Sequence, residues 1–205
     1  MAWESQIGAW EENAHVSWLD EYERSGEKVR LAVDFYISTE KGQTTVRLVH
    51  SGFGDGASWD NEIEGLSGGW AYFIYHLKHY LENHLGAIRQ VASERVLLQG
   101  RREDAWARLF SVAAGLFSTV PAELMVGASC ELAFDSEQVY EAIIRTHFAG
   151  RTLGLEIPAL NRALLLIELE PGAEDTHCGF WLSTVDLDQA DRVETAFKNH
   201  LKQLK

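Results

Sequence analysis

Cysteine, basic side chains and long apolar runs are all scarce in this 205-residue chain. Its two cysteines, Cys130 and Cys178, form no CxxC motif, and without a sign of export we expect free, buried thiols. Lysine and arginine number 18 against 31 acidic residues, and neither half of the chain is basic, so nucleic acid and anionic membrane surfaces are not expected partners. No apolar run approaches the ~18 residues of a membrane span, and no secretory signal opens the chain, so we expect a cytoplasmic protein.

Phosphate-binding motifs are missing as well. The glycine-rich run at 52–56 follows a strand pattern, as phosphate loops do, but it has no GK[ST] ending and no G-x-G-x-x-G match. Asp55 within it would repel a phosphate. The sequence therefore predicts no nucleotide and no other cofactor.

The strongest pattern that is present runs from Val46 to Leu85 and predicts a strand, a glycine-rich corner and a long helix. Before it, residues 10–20 predict a short strand. The segment VRLAVDFYIS at 29–38 alternates apolar and polar side chains, as a half-buried strand does. The break TEKGQ then predicts a β-hairpin that leads into the strand TTVRLVH.

The predicted helix carries one apolar stripe, which we expect to lie along a sheet. Gly68 and Gly69 predict a kink or a short first helix, and Gly86 predicts the C-terminal cap. The solvent side is marked by Lys78, His79, Glu82 and Asn83. The stripe consists of Trp70, Phe73, Ile74, Leu77, Leu81 and Leu85.

The second part of the chain predicts a strand at 94–99, a helix over 102–117, an antiparallel meander after Pro121 and a final helix over 186–205. One face of that last helix carries Val193, Phe197, His200 with Leu201, and Leu204, and Asp188 with Asp191 resembles a capping box. Both parts thus end as strands followed by a striped helix, which indicates a weak internal duplication.

Over residues 10–85 the chain resembles the C-terminal half of a domain from the family of homologues of the heat-shock protein 90 ATPase activator, in the START-like superfamily. The resemblance is carried by LVHSGFGDG, Trp59–Asp60, Gly69–Trp70 and the ending HLKHYLE; over 91–205 it rests on element order. It implies a helix-grip fold, in which a curved antiparallel sheet grips a long C-terminal helix around a cavity. The predicted class is α+β, with two tandem units, an abbreviated first unit at 1–90 and a second at 91–205.

The first unit lacks the strand and helices with which such a domain opens, so its sheet has an open edge. A late start, a remnant completed by the second unit and a dimer are three explanations. We favour burial of the edge by the second unit or by a second chain, so a homodimer through this edge is a predicted assembly.

Candidate catalytic and metal-binding residues have structural interpretations that we prefer. His50 and Ser51 are adjacent in a strand and point to opposite faces, which argues against a nucleophile pair. His76, His79 and His84 share one helix, but a zinc site needs further ligands, so we predict a solvated or boundary face. His177–Cys178 is an isolated pair in a turn. The sequence therefore predicts no catalytic residue and no metal site.

Three glutamates, Glu156, Glu168 and Glu170, lie in or beside apolar strands. A strand carboxylate that points into a cavity acts as a base or a ligand anchor, but alternation along a strand favours solvent exposure for each.

The remaining candidates are mainly aromatic side chains in the second unit. They either pack in its core or line a pocket, and both interpretations are open. The preferred function is non-enzymatic binding of a small apolar ligand or a protein partner. A cyclase- or aromatase-like enzyme that uses the same cavity, and the ATPase-regulating co-chaperone that the resemblance implies, are alternatives. The predicted cavity residues are Trp106, Tyr140, His147, Phe148, Glu156, Trp181 and Phe197.

Overall fold

Two units make up the chain, and the boundary between them falls inside a helix. The computed structural model describes residues 6–135, 138–172, 174–185 and 187–203. The first unit spans residues 1–63 and the second spans residues 64–205. The predicted boundary near residue 90 does not coincide with this division, because helix residues from 64 onward contact the strands of the second unit.

The sheet of the first unit is an antiparallel meander of four strands, in the order β1-β2-β3-β4. The predicted hairpin is confirmed, and it turns at Lys41 and Gly42, which both have positive φ. The single strand predicted over 10–20 is in fact two strands, because the chain turns at Asn13, with φ 59°. The strands are β1 (Gln6–Glu11), β2 (His15–Arg24), β3 (Glu27–Glu40) and β4 (Gln43–Ser51).

Helix α1 (Ala57–Asn83) follows the glycine-rich corner. It continues as one helix through Gly68 and Gly69, so the predicted short first helix does not form. The chain leaves the helix just before Gly86, whose φ of 84° is the left-handed conformation expected of a residue that ends a helix.

A seven-stranded antiparallel sheet forms the centre of the second unit, in the order β5-β11-β10-β9-β8-β7-β6. The predicted meander after Pro121 is confirmed. Two further helices are α2 (Arg102–Leu109) and α3 (Leu187–Gln203). The strands are β5 (Gln90–Gln99), β6 (Phe117–Thr119), β7 (Ser129–Asp135), β8 (Gln138–Phe148), β9 (Thr152–Ile157), β10 (Ala163–Pro171) and β11 (Asp175–Thr184).

The sheet of the second unit curls around α3, which contacts β5, β11 and β7. Five strand spacings separate β5 from β7 in the strand order, a distance of about 24 Å in a flat sheet. A helix with its side chains is only about 10–12 Å across, so one helix reaches both strands only if the sheet is curved. The predicted α+β helix-grip fold is therefore confirmed.

The core of the second unit lies between α3 and the concave face of this sheet. Phe197 of α3 is fully buried and packs edge-on against Phe134 and Phe180. Val193 and Leu201 are buried beside it, as predicted, whereas Leu204 lies outside the described residues. The side chain of Asp188, and with it the predicted capping box, also lies outside the described part of the chain.

Helix α2 is shorter than the helix predicted over 102–117. It ends at Leu109, where the Ser111 hydroxyl donates a hydrogen bond of 2.6 Å to the carbonyl of Arg108 and so satisfies a helix-terminal acceptor. Gly115, with φ 79°, then turns the chain so that Phe117 joins the sheet. Within the described ranges, no helix has both the length and the apolar character needed to cross a membrane.

Candidate functional site

Residues 64–83 of α1 cover the face of the second sheet that lies opposite α3. On β10, Leu165, Ile167 and Leu169 belong to the core beneath α3. The alternate residues Leu164 and Leu166 pack instead against Tyr72 of α1. Successive strand residues point to opposite faces, so the sheet is covered by a helix on each side.

Glycines allow α1 to approach this face closely. A methyl group on Gly68 would lie 2.8 Å from Thr152 Oγ1, and one on Gly154 would lie 2.8 Å from Tyr72 Cδ2. Real Cβ atoms are not found at such distances. The two glycines, one on the helix and one on β9, therefore set the spacing at which the aromatic and polar side chains of α1 meet the sheet.

The orientation predicted for α1 is wrong. The helix buries Tyr72 and His79 against the sheet. Three members of the predicted stripe, Phe73, Leu77 and Leu81, are exposed. His79, expected on the solvent side, is only 5% exposed. The face of the sheet towards α1 presents polar groups such as the Glu156 carboxylate and the Ser183 hydroxyl, so it binds the Tyr–His face of the helix rather than the aliphatic one.

Glu156 is the centre of the polar contacts between α1 and the sheet. It is 2% exposed, in contrast to the solvent-facing position expected from strand alternation. Its Oε2 accepts hydrogen bonds from Tyr75 Oη at 3.0 Å and from Arg145 Nε at 2.8 Å. Its Oε1 accepts a bond from Arg162 Nε at 2.8 Å. The carboxylate is therefore held by three donors from three elements of the second unit.

These contacts keep Glu156 ionised. Burial acts to raise the pKa of Glu156, but the hydrogen bonds from Arg162, Arg145 and Tyr75 outweigh it, and the net pKa is lowered. Burial and the bond to the carboxylate raise the pKa of Tyr75 to about 12, so this phenol remains a donor at neutral pH. Glu156 thus holds the network together and has no proton to give.

His79 lies next to this network in one defined tautomer. Its Nε2 is 3.0 Å from the carbonyl oxygen of Arg162, which only accepts, so Nε2 carries the proton. Its Nδ1 lies 3.4 Å from the side-chain nitrogen of Asn83 and 4.0 Å from Glu156 Oε2. Burial lowers the pKa of His79, so at neutral pH the ring is uncharged and its contact with Glu156 is not an ion pair.

A small cleft opens beside this network, between the end of α1 and strands β10 and β11. Its volume is about 250 Å³ when the solvent at its open mouth is counted, and about 10 Å³ of this is accessible to the centre of a water molecule. We name it the His–Arg cleft, after the three histidines and two arginines in its lining. The lining residues are His76, His79, Tyr80, His84, Arg89, Asn161, Arg162, Ala163, Leu164, Ser183 and Val185.

The histidines of the cleft are uncharged at neutral pH. Burial, with smaller contributions from Arg89 and the other two histidines, lowers the pKa of His76 to about 4. Burial, then Arg162, lowers the pKa of His84. His76 Nε2 is 3.1 Å from Ser183 Oγ, whereas the buried Nε2 of His84 has no hydrogen-bond partner among the described groups. The three imidazoles are therefore neutral, and one ring nitrogen, Nε2 of His84, keeps unused hydrogen-bonding capacity.

Positive charge in the cleft comes from its two arginines. Arg162 is engaged by Glu156 and, through Nη1, by the side-chain oxygen of Asn83 at 2.6 Å. Arg89 is exposed and has no ion-pair partner in the described part of the chain. It is therefore the cation that is available to a ligand.

No protein-family model and no curated protein matches the chain. Among solved structures, it is similar to the di-domain ARO/CYC BexL from the BE-7585A biosynthetic pathway, with 14% identity and a TM-score of 0.47 over 98% of this chain and 77% of that chain.

Two further similar structures cover about half of this chain. A Bordetella parapertussis protein is 19% identical, with a TM-score of 0.44 over 56% of this chain and 74% of that chain. A Polyketide_cyc-like protein of Corynebacterium glutamicum is 13% identical, with a TM-score of 0.36 over 56% and 82%. At these identities and TM-scores, no activity and no ligand transfers from these proteins to this chain.

The seven predicted cavity residues lie on both faces of the second sheet. Trp106, Tyr140, His147 and Phe197 are on the α3 side, where Trp106 stacks on His147 with ring centroids 6.0 Å apart. Glu156 and Trp181 are on the α1 side, and so is Phe148, which contacts the helix at Gly68. The seven therefore do not surround one common space.

The other sequence candidates remain apart from the cleft. His50 packs on Phe53 with ring centroids 4.7 Å apart, in the first unit. Cys130 and Cys178 are free and buried, and burial raises the pKa of both thiols, that of Cys130 to about 12. Across the described ranges, no His, Cys, Asp and Glu side chains cluster in a way that would hold a metal ion.

Sequence reasoning missed Tyr75, Arg145 and Arg162. Tyr75 belongs to a second helical stripe, Tyr72–Tyr75–His76–His79, whose spacing is as regular as that of the aliphatic stripe. That spacing was the sequence signal from which Tyr75 could have been found. Arg145 and Arg162 gave no such signal, since they reach Glu156 from neighbouring strands and loops.

Proposed function

We propose that this chain is a non-enzymatic binding protein for a small organic anion, whose charged group occupies the His–Arg cleft. The observation that carries this proposal is the unpaired Arg89 at a cleft lined by neutral imidazoles. Arginine recognises carboxylates through paired hydrogen bonds. The proposed ligand differs from the purely apolar one expected from the sequence, because the lining combines charge with apolar surface.

The charge of the whole protein makes this site stand out. The chain carries a formal net charge of −13, which repels anions from most of its surface. Because burial keeps His76, His79 and His84 neutral, the cleft attracts an anion through Arg89 and offers imidazole nitrogens for hydrogen bonds.

The size and floor of the cleft define the ligand further. About 10 Å³ of the cleft is accessible to the centre of a water molecule, which is about the room that one water needs, so the cleft is far smaller than the ~300–1,000 Å³ sites that enclose a drug-sized molecule. Ala163, Leu164 and Val185 supply apolar surface beside the polar groups. The cleft thus has room for the charged group of a small carboxylate, and a short apolar or aromatic body would stay at its open mouth.

Titration with benzoate and with its uncharged analogue benzamide tests this proposal. We expect benzoate to shift the NMR signals of the His76 and His84 rings and benzamide to shift them far less. Arg89→Gln should weaken benzoate binding by about tenfold, the loss of one charge-assisted hydrogen bond. Arg101→Gln is the matched control, since Arg101 is a solvent-exposed arginine outside the cleft.

Equal binding by the two arginine variants, or equal shifts with benzoate and benzamide, would contradict the proposal. Native mass spectrometry of protein purified from its own host adds an independent readout. We expect a bound small molecule in the native chain and in Arg101→Gln, and its loss in Arg89→Gln.

The second candidate is an enzyme that uses the same cleft, and the 3.1 Å contact between His76 Nε2 and Ser183 Oγ favours it. A histidine with a pKa of about 4 is a weak base at neutral pH. We therefore expect a fluorophosphonate probe, which labels activated serines, to leave Ser183 unmodified. Labelling that is lost in His76→Gln would establish the enzyme instead.

The co-chaperone role implied by the resemblance stays a prediction. Mixing the protein with a bacterial heat-shock protein 90 and measuring ATP hydrolysis tests it, and an unchanged rate would remove it.

A further inference from the structure

An exposed apolar stripe runs along the side of α1 that faces away from the second sheet and continues into the segment that follows the helix. Its five members are all large, and their exposed fractions are high for aliphatic and aromatic side chains. We propose that two copies of this chain dimerise by packing these stripes against each other in antiparallel orientation. The stripe consists of Phe73 (53% exposed), Leu77 (38%), Leu81 (49%), Leu85 (74%) and Ile88 (71%).

The exposed area is sufficient for such an interface. With roughly 200 Å² for a fully exposed side chain of this size, the five fractions correspond to roughly 550 Å² of apolar surface per protomer. Exposed patches larger than a few hundred Å² mark interaction sites in soluble proteins. A standard interface buries about 800 Å² per partner, so the stripe supplies most of the area and the polar residues that flank it supply the rest.

The charges beside the stripe favour a second copy of the same chain as the partner. Lys78 and Glu82 lie on one flank, 2.5 Å apart and well exposed, so this surface is locally neutral in a protein of net charge −13. When two identical helices pack antiparallel about a two-fold axis, the same flanks meet. An axis near residue 80 then places Lys78 of one protomer beside Glu82 of its partner, and the repulsion between two acidic proteins is avoided where they touch.

This dimer differs from the strand-edge dimer predicted from the sequence, which stays a prediction. Phe73, Leu77 and Leu81 lie on the face of α1 opposite the Tyr–His face, whereas Leu85 and Ile88 are the chain neighbours of His84 and Arg89 of the cleft. Leu77→Asp therefore tests the dimer without changing a cleft residue. The aliphatic stripe recognised in the sequence thereby has a partner, although that partner is not the chain's own second sheet.

Sedimentation equilibrium of the full chain over a range of concentrations tests the dimer. We expect a dimer at micromolar concentration, and we expect Leu77→Asp to raise its dissociation constant at least a hundredfold. Val139→Asp is the matched control, because Val139 is an exposed apolar residue on β8, outside the stripe. Circular dichroism shows whether each variant keeps its fold; both sites are exposed, so folding should be retained.

Charge exchange tests the antiparallel arrangement itself. Lys78→Glu and Glu82→Lys should each weaken the dimer several-fold, because each places like charges together across the axis, and the double exchange should restore it. A monomer at 100 μM, or equal effects of Leu77→Asp and Val139→Asp, would overturn the dimer. Failure of the double exchange to restore association would overturn the antiparallel arrangement.

Discussion

Alanine substitution at Gly68 and at Gly69 should change stability in opposite directions. Both residues lie in the interior of α1, where glycine is disfavoured relative to alanine by about 0.8–1 kcal/mol. On helix propensity alone, either substitution stabilises the protein by that amount. The surroundings of the two positions differ, however, and this difference decides the sign.

At Gly69 the nearest atom to an added methyl group is Phe73 Cε2, at 4.0 Å. That distance is an ordinary van der Waals contact, so Gly69→Ala should keep the full gain of about 0.8–1 kcal/mol. For a chain of this length, such a gain raises Tm by about 2–4 °C.

At Gly68 the added methyl group meets the sheet. It would lie 2.8 Å from Thr152 Oγ1, 3.2 Å from Thr152 Cγ2 and 3.3 Å from Phe148 Cβ. Since both branches of the buried Thr152 side chain are in contact, rotation about χ1 does not relieve the clash, and the helix must move. Overpacking of this kind costs about 1–3 kcal/mol; a cost of about 2 kcal/mol exceeds the helix-propensity gain, so Gly68→Ala should be less stable than the native chain.

Equilibrium urea denaturation, followed by far-ultraviolet circular dichroism, measures both variants against the native chain. The expected order of stability is Gly69→Ala, then the native chain, then Gly68→Ala, with about 2 kcal/mol between the extremes. The two substitutions change helix propensity equally, so their difference reports packing alone. Equal stabilisation by both would show that α1 does not approach the sheet as closely as the structure indicates.

Three further predictions follow from the second unit. Glu156→Gln should lower the free energy of unfolding by about 2–3 kcal/mol, because it leaves two partly hydrated guanidinium groups without their charge partner. The control Glu170→Gln removes an exposed ion pair and should lower it by under ~1 kcal/mol in the same urea assay. The folded-state pKa of His76 is lowered from 6.5 to about 4, so the unfolded chain takes up a proton that the folded chain does not, and stability is lost as the pH falls from 6.5 towards 4. Tm should therefore fall between these two pH values, and it should fall less steeply in His76→Gln. Phe197→Ala should cost about 3–5 kcal/mol, since Phe197 is fully buried, and a change below ~1 kcal/mol in thermal or urea unfolding would argue against the packed core beneath α3.

The strands, turns and helices were largely predictable because their signals are local. Alternation along 29–38 and the glycine at the TEKGQ turn identify the first hairpin without any long-range information. The errors occur where the local signal is ambiguous. The helix expected over 102–117 ends at Leu109, and the pair Gly68–Gly69 does not divide α1 because packing against the sheet accommodates it.

The candidate site was much less predictable. Glu156 was among the candidates, but its three donors come from positions 6, 11 and 81 residues away in the chain. Strand alternation places Glu156 on one face of β9 without indicating that a helix covers that face. The spacing of the cleft histidines predicts that they share one helix, and only the structure shows that they are partly or fully buried, neutral and next to two arginines.

The sequence by itself determined which residues share a face of each helix and strand, because side-chain direction repeats with the period of the backbone. It therefore established the aliphatic stripe of α1, the order of the strands along the chain and the aliphatic face of α3, and it contained the spacing of the Tyr–His stripe, which was not recognised. Only the tertiary structure decided which stripe of α1 meets the second sheet. That choice depends on the spacing allowed by Gly68 and Gly154, and on a sheet face that presents Glu156 and Ser183. Polar groups buried in this way require hydrogen-bonding partners, so the Tyr–His face turns inward and the aliphatic stripe is left for another partner.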